Sequence, residues 1–206
     1  PYLKYVANLG DEKYFWYLDK ISIFYATGPI ALVLGLLMTK PLSKRFGKRN
    51  ALIGLTMISA VLTIAFYFVP ASNFEQIFWL NIVSAFMAGP MPALVWAIYT
   101  DVVDYGEWKF DRRITALTFA AAMFVQKAGL ALGGWSVGLL LGYFGYIANV
   151  DQSERSLNGI LLMFSIIPGV LTILSGVILF WYNIGDDEVE NIAIELEERR
   201  KSVSAK

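Results

Sequence analysis

The segregation of charge constrains this chain more than any other feature. Five apolar stretches, residues 16–39, 51–69, 77–99, 114–146 and 158–184, are separated by short charged blocks. A helix of about 20 apolar residues crosses the hydrocarbon core of a bilayer. Each charge at mid-membrane costs roughly 2.5–3.5 kcal/mol on insertion scales, so a spanning chain must push its charges to the ends. This chain does so: 57% of its 206 residues are hydrophobic and 17% are charged, where soluble domains run near a quarter charged. Regular barrel-type alternation is missing, which leaves helices as the spanning element. The expected class is an all-α membrane protein with about five complete transmembrane helices.

Lysine and arginine then set the expected orientation. The first connection, KPLSKRFGKRN, carries Lys40, Lys44, Arg45, Lys48 and Arg49, and the second, PASNFE, carries none. The third, residues 101–113, has Lys109, Arg112 and Arg113; the fourth has only Arg155; the end of the chain has Arg199, Arg200 and Lys201. The positive-inside bias places the odd connections and the C-terminus in the cytoplasm. Aromatic clusters at residues 14–17, 78–79, 143–146 and 180–182 fall at span ends, as an interfacial belt does. The chain opens at Pro1 without a basic-then-apolar leader, and residues 1–14 read as the end of an earlier helix and a loop, so it is taken as a piece of a longer polypeptide. Residues 1–184 form the expected transmembrane bundle. Residues 185–206 read as a cytoplasmic amphipathic tail, with Val189, Ile192, Leu196 and Val203 as a thin apolar stripe on a short helix that lies on the membrane or on a loop, a solvated appendage before a regulatory element.

Some functions are excluded at once. With no cysteine and no histidine, thiolate chemistry, disulfides and the common zinc sites are impossible. A net charge of zero offers nucleic acid no footprint.

Three features can carry function. The first is DVVDYGEWKFDRR, residues 101–113, with seven charges between two apolar walls. Asp101, Asp104 and Glu107 recur at i, i+3 and i+6, which a helical extension gathers on one side. Their expected partners are Lys44, Arg45, Lys48 and Arg49 on the same face of the membrane, with Arg112 and Arg113 pairing locally or with a group elsewhere. Such a network biases a conformational equilibrium, and so acts as a gate. The same acids suit a hard cation such as Mg²⁺, which keeps open an intramembrane enzyme acting on a lipid-linked substrate. The second feature is Lys127, deep in the fourth apolar stretch, where an ionisable group is functional by default. Gln126 beside it points about 100° away. The glycines at 129, 133, 134, 138 and 142 predict close helix packing on the same helix. The third is AGPMPALVW, where Pro90 and Pro92 break the backbone ladder and Trp96 offers a ring for a sugar to stack on. A purely structural membrane subunit remains the bland reading of all three.

The segment from Asp101 to Lys109, followed by Arg113 and a glycine-rich helix bearing a lysine, resembles the glycoside–pentoside–hexuronide:cation symporters of the major facilitator superfamily. Asp101, Val103, Asp104, Tyr105, Gly106, Glu107, Trp108 and Lys109 match that family's segment between helices ten and eleven. KRFGKR is similar to the superfamily's loop signature at Arg45, Gly47, Lys48 and Arg49, with Lys44 replacing its acid. The resemblance implies the C-terminal six-helix half of a major facilitator fold, from the end of helix seven to helix twelve. It implies sugar:cation symport by alternating access in a bacterial inner membrane, without ATP or a cofactor. Lys127, with Trp96 and Gln126, would belong to the sugar site. The charged segment with Tyr105 would form the cytoplasmic gate. The partners implied are a sugar, a coupling cation (Na⁺, H⁺ or Li⁺), the bilayer, and an N-terminal half carrying the cation ligands.

Overall fold

The computed structural model describes residues 13–15, 18–70, 73–112 and 114–204. A short antiparallel ribbon, β1 (Lys13–Phe15) against β2 (Leu18–Asp19), precedes α1 (Lys20–Leu36). The first apolar stretch is helical from Lys20. Then follow α2 (Thr39–Phe46), α3 (Lys48–Ala65), α4 (Phe74–Ala88), α5 (Met91–Phe110) and α6 (Thr115–Tyr143). Next come α7 (Glu154–Phe164), α8 (Ile166–Ile178), a 3-10 turn at Leu179–Trp181, and α9 (Asp186–Ser204). Four helical runs are long and apolar enough to cross a membrane: Lys48–Ala65, Phe74–Phe110, Thr115–Tyr143 and Glu154–Trp181. Ser22–Leu36 with Thr39–Phe46, bent by 45°, makes a fifth when the pair is taken as one.

Two of these runs are broken, for reasons of backbone chemistry. Between α4 and α5 the break is short and falls at Gly89 and Pro90, and Pro92 sits in the first turn of α5 where its missing N–H costs nothing. Between α7 and α8 the break falls at Ser165, two residues before the turn that Pro168 enters without an amide to donate. The Ser165 hydroxyl donates to the Leu161 carbonyl at 2.6 Å and supports the freed end of α7.

Two apolar clusters hold the bundle. Phe24, Phe66, Phe74, Ile77 and Ile160 pack at one end. Ala51, Leu52, Leu55, Leu94 and Ile98 pack at the other, where Leu42 of α2 and Leu179 join them. The closest helix pairs are α1 with α4 and α3 with α8. By contrast α6 contributes no buried residue, and open space surrounds each of the glycines at 129, 133, 134, 138 and 142. The close packing expected on that glycine face is not supplied by the described residues of this chain.

The run Phe74–Phe110 has 37 residues, about 55 Å of helix against a hydrocarbon core of about 30 Å. Its charged last turns, from Asp101 on, must therefore emerge from the membrane. They are helical to Phe110, and Asp111 closes the helix in the left-handed conformation at φ 52°.

Candidate functional site

The charged end of the bundle is built from α2, α3, α5 and α9. Asp101 lies on the buried face of α5 with Leu94, Ile98 and Val103, and is only 7% exposed. A carboxylate in that position needs a counter-charge. Lys48, first residue of α3, supplies it through an Nζ–Oδ2 ion pair. Of the four loop cations expected opposite the acids, this one reaches Asp101. Arg49 turns the other way and donates from Nη2 to the Phe180 carbonyl at 2.8 Å. Lys44 and Arg45 are exposed on α2, with the Arg45 guanidinium 5.5 Å from the Phe46 ring. Asp104 and Glu107 are half-buried further along α5, and Arg112 is exposed just beyond its end. Tyr105 accepts a hydrogen bond from Lys109 Nζ at 3.2 Å, with the ammonium also above its ring. Arg113 lies outside the described residues.

The pair predicts a stability cycle. Asp101→Asn leaves the half-buried Lys48 ammonium uncompensated and is expected to destabilise the protein by about 3 kcal/mol. Asp101→Leu with Lys48→Met removes both charges and recovers most of the loss. Thermal unfolding of the single and double variants in detergent measures the coupling, and simple additivity would disprove it.

The tail does not stand free in solvent. Ile192 and Leu196 of α9 are buried, and the helix packs against the end of α5. The Trp108 indole donates to Glu195 Oε2 at 2.7 Å. Arg199 reaches Asp111 at 2.9 Å and Glu195 at 2.7 Å. At the other end of α9, Asp186 Oδ2 accepts from the Lys48 backbone N–H at 2.9 Å, capping α3 from 138 residues away. Gly47 permits this: its φ of 79° turns α2 into α3, and a Cβ there would strike the Asp186 carboxylate. Lys48 thus gives its side chain to α5 and its amide to α9. Sequence reasoning missed Asp186, Trp108, Glu195 and Arg199 as partners. The only available signals were the acidic start of α9 and the i,i+4 spacing of Glu195 and Arg199.

The hydrogen bond from Trp108, then that from Arg199, holds the Glu195 carboxyl below its ordinary range. A depressed carboxyl stabilises docking fully above the ordinary carboxylate range and loses that contribution as pH falls through the folded-state value. Acidification below about pH 4 is therefore expected to raise hydrogen exchange along α9. Glu195→Gln should flatten that pH dependence, and an unchanged profile would exclude this coupling.

The second candidate region lies between α5 and α6. The Trp96 ring, 39% exposed, stacks on Phe119 of α6 with centroids 5.8 Å apart and planes 13° from parallel. Gln126 follows Phe119 by seven residues, nearly two turns, so it shares the α6 face that meets Trp96 to within about 20°. Lys127 is turned about 80° from that face. Both Gln126 and Lys127 are exposed, and Lys127 has no hydrogen bond or ion pair among the described residues. The structure thus brings Trp96 to α6 without bringing Lys127 against another side chain. Among the described residues no three carboxylates converge as a metal site.

The chain is similar to known proteins over most of its length. The MFS/sugar transport protein family matches residues 13–186. An uncharacterized 29.9 kDa protein from the crtE 3′ region of Pseudescherichia vulneris is 32% identical over 192 residues, 90% of this chain and 70% of that protein. The putative glycoside/cation symporter YagG of Escherichia coli K12 is 32% identical over 178 residues, 86% of this chain and 39% of that protein. The inner membrane symporter YicJ of the same organism is 31% identical over 167 residues, 79% of this chain and 36% of that protein. The chain therefore spans less than half the length of these two symporters. The reading as a magnesium-dependent enzyme falls with this match, because the chain belongs to the MFS/sugar transport protein family, whose members are multi-pass membrane transporters.

Proposed function

We propose that this chain is the C-terminal half of a sugar:cation symporter that works by alternating access. The carrying observation is the match, over most of the chain, to proteins named as symporters, one of them a putative glycoside/cation symporter. The geometry fits that reading at both candidate regions. At the charged end, Lys48 and Asp101 tie α3 to α5, and Asp104, Tyr105, Glu107 and Arg112 continue the same segment, with Arg113 next in sequence. This is the cytoplasmic gate, with the C-terminus on that side of a bacterial inner membrane. In the bundle, Trp96 supplies a sugar-stacking ring, Gln126 a hydrogen-bonding amide on the adjoining face, and Lys127 a cation.

An N-terminal half covers the open glycine face of α6 and brings the ligands of the coupling cation, Na⁺, H⁺ or Li⁺. Small residues suit that role because they let another helix approach closely. The test is uptake by proteoliposomes holding the full-length protein. Accumulation of a glycoside or hexuronide driven by a Na⁺ or proton gradient, and collapsed by an ionophore, is the expected result. Equilibration without accumulation under either gradient would overturn symport.

A further inference from the structure

The basic first connection divides into two parts with different surroundings. Lys48 and Arg49 point into the protein, to Asp101 and to the Phe180 carbonyl. Lys40, Lys44 and Arg45 do not: all three are exposed on α2. Leu42 anchors α2 by packing against the Ala51–Leu52–Leu55 cluster. Lys40 and Lys44 flank Leu42 at two residues on either side, which turns both to the opposite face of the helix. The surface at the two ends of α2 is apolar. Leu37 is 69% exposed, Met38 44% and Phe46 52%, and they extend the exposed stripe of Ile30, Val33 and Leu34 on α1. The 45° bend between α1 and α2 sets this helix across the boundary where the apolar stripe ends and the charges begin.

We infer that α2 is an interfacial helix that binds the headgroups of anionic phospholipids through Lys40, Lys44 and Arg45. Its apolar neighbours Leu37, Met38 and Phe46 enter the acyl boundary while the three cations meet lipid phosphates, the usual division of labour in such helices. Charge complementarity selects this occupant: three cations at a membrane boundary face a negatively charged leaflet. The neighbouring cleft between α2 and the start of α9, whose edge Lys44 and Phe46 also form, is a poorer place for a phosphate, because Asp186 and Asp187 line it. The contact therefore belongs to the exposed rim of α2 outside that cleft, where Lys40, Lys44 and Arg45 all reach solvent. It depends on the membrane reading and not on symport.

The test titrates full-length protein in detergent with phosphatidylglycerol or phosphatidylcholine and counts bound lipids by native mass spectrometry. Each cation near an anionic surface is worth roughly fivefold in binding, so Lys40→Gln with Lys44→Gln and Arg45→Gln should weaken phosphatidylglycerol binding on the order of a hundredfold. Phosphatidylcholine binding should stay unchanged, and the phosphatidylglycerol preference should shrink with added salt. The single variant Lys44→Glu, at an exposed position, should lower the preference on its own if the triple variant is poorly made. Wild-type protein that binds both lipids equally would overturn the inference, as would a triple variant that keeps the preference. Displacement of phosphatidylglycerol by millimolar inorganic phosphate would also overturn it, by assigning the site to a soluble anion.

Discussion

Replacing Gly89 by alanine is expected to destabilise the bundle by about 3 kcal/mol or more, far beyond the ordinary cost of a glycine change in a helix. At this position α1 and α4 meet backbone to backbone. A Cβ on Gly89 would collide with the Leu32 carbonyl and come within 2.7 Å of the Leu36 nitrogen and 2.8 Å of the Gly35 carbonyl carbon. Gly35 meets the mirror condition, its Cβ blocked by the Phe86 carbonyl and 3.1 Å from the Phe86 Cα. Backbone has no rotamer to move, so only separation of the helices relieves the clash. That separation would disturb the junction of α4 and α5 and shift the helix that carries Trp96 and Asp101. Gly54 is the control: open space surrounds its Cβ position, and helix propensity favours alanine there by roughly 0.5–1 kcal/mol. Thermal unfolding of Gly89→Ala, Gly35→Ala and Gly54→Ala decides the matter. Equal midpoints for all three would refute the close crossing.

Much of this architecture was legible in the sequence because the bilayer punishes misplaced charge so heavily. Each apolar stretch became a helix or a helix pair, and the charged blocks fell between them. The fine structure was less legible, since it depends on tertiary contacts. Pro168 was visible, yet whether it would end a helix or kink one is set by tertiary packing and not by the residue alone. The segment after Tyr99 read as a connection entered by a helical extension, and the chain keeps its helix for another eleven residues to Phe110.

The site shows the same division. Pairing of the basic loop with the acidic segment followed from charge and a shared membrane face, but spacing alone did not say which cation would reach Asp101. Lys48 is chosen because it opens α3 directly beside the buried face of α5, whereas Lys44 and Arg45 ride on a separate helix. Docking of α9 was harder still. Its stripe of Val189, Ile192, Leu196 and Val203 is too thin to distinguish a docked helix from a solvated one, and of these Ile192 and Leu196 are buried. The deciding partners, Trp108 and Asp111, are more than 80 residues away.

Lys127→Ala is expected to abolish sugar accumulation by the full-length protein while leaving insertion and thermal stability unchanged or improved. Lys127 stands twelve residues into α6 and sixteen from its end, about 18 Å and 24 Å along the axis. A lysine stem does not span either distance, so snorkelling does not bring this ammonium to an interface unaided. An ionisable side chain at such depth costs roughly 2.5–3.5 kcal/mol on insertion scales. Removing it should therefore help the fold, and a protein that keeps it does so for a cavity or a partner. In the symporter reading that partner is a carboxylate of the N-terminal half or a hydroxyl of the bound sugar. Lys127→Arg separates the two: a carboxylate accepts the guanidinium and transport survives in part, whereas a fitted sugar contact does not tolerate the larger fork. Uptake, sugar binding and unfolding temperature measured on the same preparations make the distinction. If Lys127→Ala accumulates sugar as well as the wild type, the lysine is a passive resident of α6 and the sugar site must be sought around Trp96 and Gln126 alone.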